Sequence, residues 1–252
     1  MNTNEARELG HRIWELVLSG QVDPAIDCLQ PVLAEAVPFR LLDIIGSPPA
    51  PANWGALVPF LEKIARIQAM GGWVIIGSAL GAQIQQGLNE SLALARHFIE
   101  WADVWYGVDS IGERVPGPTL LHDFSTSLAI LAGWRDDENR WVRRATGVAI
   151  HFWAKRAHGS TASIPQAELL LEFLEPVFEE RDRDAVKGIG WGLKTLGRYY
   201  PDPVTDWLVE LVGRSQRYPR ALLLRKAMTY LPESSKAKIS EAIPRVKSGK
   251  LF

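Results

Sequence analysis

The stretch ENRWVRRATGVAIHFWAKR, residues 138–156, contains the clearest amphipathic helix pattern in the chain. Its apolar residues recur at i, i+1, i+4, i+7, i+8, i+11 and i+12, which is the spacing of one face of an α-helix. They are Trp141, Val142, Ala145, Val148, Ala149, Phe152 and Trp153. A stripe this wide must be buried against neighbouring elements. The basic residues Arg140, Arg143 and Arg144 fall on the other, polar side of the helix.

Helical segments of this kind follow one another along the whole chain, separated by Pro, Gly, Asp or Asn. We expect helices near residues 4–19, 23–45, 53–69, 72–87, 89–105, 109–132, 138–156, 164–180, 183–200, 203–214, 218–230 and 234–246. Alternating strand patterns are nearly absent. Val74–Ile76 could form a short strand, but the residues that follow continue at helical spacing. The sequence therefore predicts an all-α protein.

The short connections between these helices favour antiparallel helix pairs stacked into an α-solenoid. Exact sequence repetition is weak, so this prediction rests on the lengths of the predicted helices and on the regular spacing of the breaks between them. We expect one domain over residues 1–252, in which about residues 1–50 form an N-terminal helical cap. The proline-rich segment Ser47–Pro51 is the best candidate for the boundary of that cap.

Composition excludes several classes of protein. A single cysteine, Cys28, rules out an internal disulfide framework and makes a structural zinc site improbable. The five histidines show no HExxH or comparable metal spacing, so we expect no metal. No apolar run is long enough to span a bilayer and the N-terminus does not resemble a secretion signal. We expect a soluble, cytoplasmic protein without a membrane partner.

The net charge of -1 hides an asymmetry between the two parts of the chain. Residues 1–138 hold 8 Lys and Arg against 17 Asp and Glu, a net charge of -9. Residues 139–252 hold 20 against 12, a net charge of +8. This pattern indicates either a polyanionic ligand for one face or attraction between the two parts. Uneven charge on solvated helix surfaces is the plainer explanation.

The stretch Trp105-Tyr106-Gly107-Val108-Asp109-Ser110-Ile111 places a carboxylate one helical turn from a tryptophan. Continued from the preceding segment, the helical wheel puts Asp109 on the apolar side, where a lone carboxylate is costly to desolvate. One explanation is that Gly107 breaks the helix and Asp109 caps the next one. The other explanation is a chemical role for the carboxylate.

The segment 183–200 contains a tryptophan that is not part of its apolar stripe. Trp191 lies roughly opposite the apolar stripe formed by Ala185, Ile189, Leu193, Leu196 and Tyr200. Its neighbours on the polar face are Lys187, Lys194 and Arg198. Either another element covers the indole, or Trp191 offers a flat apolar surface to a ligand with a negatively charged backbone. In the second case the basic side chains would bind phosphates.

Three motifs in this order resemble the DNA alkylation repair family of HEAT-like-repeat DNA glycosylases, the AlkD-like enzymes. They are Trp105-x-x-x-Asp109-Ser110-Ile111, Asn139-x-Trp141-Val142-Arg143-Arg144-Ala145 and Lys187-Gly188-Ile189-Gly190-Trp191-x-Leu193. The resemblance covers roughly residues 95–232 and includes Pro219-x-x-Leu222-x-x-x-Lys226-Ala227. Residues 1 to about 90 match no part of it that we can assign.

The resemblance implies a basic, concave solenoid face that cradles duplex DNA and excises cationic N3- or N7-alkylated purines without flipping the base. It implies that Asp109 is the catalytic carboxylate and that Trp105 and Trp191 are aromatic walls against the deoxyribose. Arg144 would contact a phosphate, and Arg140, Arg143, Lys187, Lys194 and Arg198 would line the same groove. No cofactor is expected, and the partner of the monomeric protein would be duplex DNA that carries alkylated purines.

Two other functions stay open at this point. One is a non-catalytic DNA-binding solenoid of the same ancestry. The other is a protein-interaction scaffold, in which the acidic and basic parts of the chain bind protein partners. Binding to phosphates weakens steeply with salt, so salt dependence separates the DNA-binding functions from the scaffold.

Overall fold

The computed structural model describes residues 1–48, 54–213 and 221–243, and within these ranges every regular element is helical. The all-α prediction is confirmed. The helices are α1 (Thr3–Leu18), α2 (Val22–Leu33), α3 (Phe39–Gly46), α4 (Trp54–Ile67), α5 (Met70–Gly81), α6 (Leu88–Ala102), α7 (Trp105–Gly112), α8 (Pro116–His122), α9 (Phe124–Arg135), α10 (Arg140–Ala157), α11 (Ile164–Leu174), α12 (Arg183–Tyr199), α13 (Pro201–Gly213), α14 (Ala221–Ala227) and α15 (Glu233–Ala242). Short 3₁₀ turns lie at Thr161–Ser163, Glu175–Glu179 and Met228–Tyr230.

Prolines divide two of the predicted helices. The segment predicted at 23–45 is two helices, because Pro38 begins α3 and disfavours helical geometry at the residue before it. The segment predicted at 109–132 is three helices: α7, then α8 from Pro116, then α9 after its N-cap Asp123. Residues 49–51 of the predicted boundary loop and parts of the last two predicted helices, 218–220 and 244–246, lie outside the described residues.

Helix α5 explains the strand-like appearance of Val74–Ile76. Every residue from Gly72 to Leu80 is buried, so α5 has no polar face and its sequence lacks helical periodicity. The preference for a helix over a strand at this place is confirmed.

The helices pack in two series. In the first, α1, α3, α5, α7, α10, α12 and α14 each contact the next member. In the second, α2, α4 and α6 pack in succession, as do α9, α11, α13 and α15. Buried apolar side chains join into one core cluster that extends from Ala6 in α1 to Ile239 in α15. This order makes α7, α10 and α12 neighbours, so their side chains can meet at one site.

The stripes predicted on two of these helices are buried as expected. Trp141, Val142, Ala145, Val148, Ala149 and Trp153 of α10 are buried, and Phe152 is half-buried. The whole predicted stripe of α12 is buried as well. Within the described ranges, no helix is both long enough and apolar enough to cross a membrane.

Candidate functional site

Trp105 and Asp109 share helix α7, one turn apart. The preceding helix α6 ends at Ala102, its C-cap Asp103 has a left-handed φ of 45°, and a new helix, α7, begins at Trp105. The prediction that Trp105 closes the earlier helix is therefore wrong. Asp109 lies inside α7, whose N-cap is Val104, so the capping explanation for Asp109 is also wrong. Gly107 does not break the helix, and a methyl group added to it would lie 2.8 Å from Cβ of Ala102 and 3.1 Å from Cγ of Trp73 on α5.

The Asp109 carboxylate is held by the guanidinium of Arg144 on α10. Nε and Nη2 of Arg144 each donate a hydrogen bond of 2.8 Å to one carboxylate oxygen, and Nη1 donates to the Asp184 carbonyl at 2.9 Å. Arg144 is only 6% exposed. Arg144 lies outside the apolar stripe of α10, as the sequence indicated, but it is not open to solvent, because α12 covers it. Bidentate pairing fixes both the position and the orientation of the carboxylate.

Close approach of α10 and α12 produces this burial. A methyl group added to Gly147 would lie 2.2 Å from the carbonyl oxygen of Gly188. One added to Gly188 would lie 2.5 Å from the carbonyl oxygen of Arg144. Only glycine permits the two backbones to come so near, and the result is that side chains on the facing surfaces of both helices touch.

Trp191 stacks on His151 across this contact. The ring centroids are 3.9 Å apart with an interplanar angle of 22°. Trp191 is half-buried and lies outside the buried stripe of α12, as predicted. The imidazole therefore covers one face of the indole. Coverage by another element, the first of the two explanations given for Trp191, thus applies to that face. His151 was missed as a site residue, although it lies seven residues after Arg144 and therefore on the same helix face.

The hydrogen bonds of His151 define its tautomer. The Thr195 hydroxyl donates to the Trp191 carbonyl oxygen at 2.9 Å and lies 2.7 Å from Nδ1 of His151. Because a hydroxyl donates only one hydrogen, we assign the imidazole proton to Nδ1. Burial, together with the positive charge of Lys155, lowers the pKa of His151 from 6.5 to about 4. The imidazole behind Trp191 is therefore neutral near pH 7.

Glu113 extends the acidic side of the site. It follows α7 one turn after Asp109, and its Oε1 lies 3.6 Å from Nε2 of His151. Burial raises the pKa of the Glu113 carboxyl, and the nearby Asp109 charge contributes to that rise. A cavity of about 410 Å³ opens beside Glu113, with Arg114 and Arg156 in its wall. Sequence reasoning did not select Glu113 for this site, although the i+4 spacing from Asp109 was visible.

The remaining basic residues predicted to bind DNA differ in their partners. Arg143 donates to both carboxylate oxygens of Glu180 and to two backbone carbonyls, so four of its five guanidinium N–H groups are engaged in the fold. Arg140 lies 3.5 Å from Asp103, and Lys187 lies 3.3 Å from Asp184. Lys194 and Arg198 lie instead over the ring of Tyr230. Arg140, Arg143, Arg144 and Lys187 thus have carboxylate partners, whereas Lys194 and Arg198, among the described residues, contact aromatic rings alone.

Trp105 is the most exposed member of the site. Its side chain is 56% exposed and contacts Tyr106 edge-on. Within the described residues, no group of three or more His, Cys, Asp or Glu side chains is arranged to hold a metal ion. The site thus presents an oriented carboxylate, an exposed indole on its own helix, and a second indole that a neutral imidazole backs.

A family model described as DNA alkylation repair enzyme matches residues 75–231. This range covers more than half of the chain and contains Trp105, Asp109, Arg144 and Trp191. Searches of curated proteins and of solved structures give no significant match.

Proposed function

We propose that this chain, which belongs to the DNA alkylation repair enzyme family, is a DNA glycosylase that excises cationic N3- or N7-alkylated purines from duplex DNA. Family membership places it in DNA repair. The observation that carries the finer proposal is the Asp109 carboxylate, which the buried guanidinium of Arg144 orients. Asp109 lies on α7, the helix that also carries the exposed Trp105.

The leaving group explains why one carboxylate suffices. An alkylated N7 or N3 purine is already cationic, so it departs without a general acid, and positive charge develops on the sugar as an oxocarbenium ion. Asp109 stabilises that charge and orients the water that attacks the anomeric carbon. A carboxylate has about four lone-pair sites, and Arg144 occupies two of them. The other lone pairs are available to the water and to the sugar. The proposed reaction uses no metal or organic cofactor.

Two tryptophans would confine the reacting sugar. We assign Trp105 and Trp191 to opposite aromatic walls against the deoxyribose of the lesion. The quadrupole of an indole face attracts positive charge. Because the imidazole behind Trp191 is neutral near pH 7, no second cation competes for that attraction.

Arg144 has a positioning role in this proposal, because it orients the Asp109 carboxylate. Its predicted phosphate contact would use the N–H groups that do not bind Asp109 or Asp184. Three of the five guanidinium N–H groups are engaged with Asp109 and Asp184. A phosphate contact would therefore use the remaining two, one on Nη1 and one on Nη2. We assign most of the contact with the DNA backbone to Lys194 and Arg198, with smaller contributions from Arg140 and Lys187.

For the architecture we propose a single HEAT-like α-solenoid over residues 1–252, with about residues 1–50 as its N-terminal cap. The two series of successively packed helices and the continuous core support it. We further propose that the protein acts as a cytoplasmic monomer on duplex DNA.

Incubation with a duplex that carries one N7-methylguanine tests the function. Under single-turnover conditions with excess protein, we expect first-order release of free N7-methylguanine, well above the rate without protein. Tight, salt-sensitive binding without base release would favour a non-catalytic DNA-binding protein. Absence of salt-sensitive binding would refute both and favour the scaffold function.

A further inference from the structure

Two basic side chains of α12 are held by an aromatic ring and have no carboxylate partner among the described residues. Nζ of Lys194 is 4.8 Å and Cζ of Arg198 is 5.4 Å from the centroid of Tyr230. Arg198 also lies 5.7 Å from the centroid of Tyr199, so Tyr230 is the ring that the two cations share. Tyr230 ends the 3₁₀ turn Met228–Tyr230, which packs on α12, and its side chain is 48% exposed. We propose that Lys194, Arg198 and Tyr230 form a clamp for a backbone phosphate of duplex DNA.

The ring offsets a repulsion that the sequence creates. Lys194 and Arg198 are four residues apart on one helix face, and like charges at this spacing destabilise a helix. The negative face of an aromatic ring attracts both cations without neutralising them. An incoming phosphate therefore meets two full positive charges that the ring has already ordered, so fewer rotamers are lost on binding.

The other basic residues of the site provide the contrast. Arg143 and Arg144 are tied to Glu180 and Asp109 by bidentate pairs, and their charges are largely compensated within the fold. Arg114 lies near a second exposed ring, Phe39, but it is paired with a carboxylate on α3. Lys194 and Arg198 combine the aromatic contact with an uncompensated charge.

The position of the clamp fits a phosphate close to the lesion. Lys194 and Arg198 follow Trp191 by three and seven residues on the same face of α12, which is about 4 and 10 Å along the helix axis. Phosphates of one DNA strand repeat about every 3.4 Å along the duplex axis. With a lesion sugar at Trp191, the clamp lies within about three nucleotides of it. This inference rests on the proposed function, because DNA supplies the phosphate.

A double-mutant cycle tests the clamp with an undamaged duplex as the probe. Fluorescence anisotropy over a range of salt concentrations gives the affinity of wild type, Tyr230→Leu, Tyr230→Phe, Lys194→Gln/Arg198→Gln and the combined triple variant. We expect Tyr230→Leu to weaken binding about fivefold or more, and Tyr230→Phe to bind like wild type, because phenylalanine keeps the ring. In the Lys194→Gln/Arg198→Gln background, Tyr230→Leu should have no further effect. The double variant should flatten the salt slope by about one unit, because the clamp neutralises one phosphate.

Phe39→Leu is the matched control, because it removes an exposed ring beside an arginine that already has a carboxylate partner. It should leave affinity unchanged. The proposal is overturned if Tyr230→Leu binds like wild type, if it weakens binding equally in both backgrounds, or if Phe39→Leu has the same effect.

The clamp and the glycosylase fail in distinguishable ways. A positive cycle without base release would support the clamp and refute the glycosylase. Base release together with a double-mutant cycle that shows no coupling would support the glycosylase and refute the clamp. A wild-type protein that does not bind duplex DNA at all would refute both.

Discussion

Replacing Asp109 with asparagine removes the charge of this side chain and nearly keeps its shape. The structure shows that the substitution also perturbs the fold, because Arg144 is 6% exposed and loses its carboxylate. Breaking a buried ion pair from one side costs about 3 to 5 kcal/mol. The asparagine carbonyl can still accept one of the two hydrogen bonds, so we expect a loss near the lower end of that range.

The effect on excision is larger and of different origin. A carboxylate about 4 Å from the developing oxocarbenium charge, at an effective dielectric of about 20, contributes roughly 4 kcal/mol of attraction. The Arg144 guanidinium is present in both proteins, so its repulsion of the sugar largely cancels in the comparison. We therefore expect the folded Asp109→Asn protein to release N7-methylguanine about a thousandfold more slowly.

Single-turnover release of free base at 25 °C, measured with excess protein, gives the excision rate, and urea denaturation gives the folded fraction to which that rate is normalised. Duplex affinity, measured in parallel, should change little. Asp43→Asn is the matched control, because Asp43 receives hydrogen bonds of 2.6 and 3.2 Å from Nε and Nη2 of Arg114. The Arg114–Asp43 pair is more exposed to solvent than the Arg144–Asp109 pair. The control should therefore lose about 1 kcal/mol of stability or less and excise at the wild-type rate.

Two results would refute this reasoning. One is excision close to the wild-type rate by folded Asp109→Asn protein, which would remove the carboxylate from the chemistry. The other is a comparable rate loss in Asp43→Asn, which would attribute the effect to any broken Asp–Arg pair rather than to Asp109.

Three further predictions concern side chains near the carboxylate. Arg143→Ala should lower the free energy of unfolding by about 2 kcal/mol, because it removes the guanidinium that pairs with Glu180, whose carboxylate keeps two backbone N–H donors. It should leave the salt slope of DNA binding unchanged, and a flatter slope would return Arg143 to the DNA groove. Trp191→Ala should slow excision but cost clearly less than the 3 to 5 kcal/mol typical of a buried aromatic, as thermal unfolding would show, because only one face of the indole is covered. The native pKa of His151 is depressed to about 4, so its contribution to stability is present above pH 6.5 and is lost as pH falls through 4. The unfolding free energy of wild type relative to His151→Phe should therefore drop by about 3 kcal/mol from pH 7 to pH 4, and a constant difference would contradict the depressed pKa.

The sequence predicted helix positions and core stripes well, because both follow from periodicity within one helix. Its errors at the segments 23–45 and 109–132 come from prolines inside apolar patterns, where apolar spacing continues across a break in the backbone. The error at Trp105 has a similar cause. The wheel pattern runs across Asp103 without interruption, although a left-handed residue there redirects the chain.

The candidate site was only partly predictable, because its key contacts lie between helices. A helical wheel correctly places Arg144 outside the stripe of its own helix, but it cannot show that a neighbouring helix covers that position. The contact between Gly147 and Gly188 brings α12 close enough to bury the guanidinium and to set Trp191 on His151. Gly147, two residues after the second motif, and the glycines at 188, 190 and 192 within the third motif were the available signal for this close crossing.

The charge asymmetry of the chain has two separable consequences in the structure. The acidic part contributes Asp103 and Asp109, which pair with Arg140 and Arg144 of the basic part, so attraction between the two parts accounts for some of the asymmetry. These cations cannot be counted in full toward a polyanion. The uncompensated charge near the site includes Lys194 and Arg198 farther along α12, where an aromatic ring holds the cations in place of a carboxylate. The partners of the basic residues thus distinguish those that stabilise the fold from those whose charge remains for a phosphate backbone. Counting the charges in each part of the chain does not make this distinction.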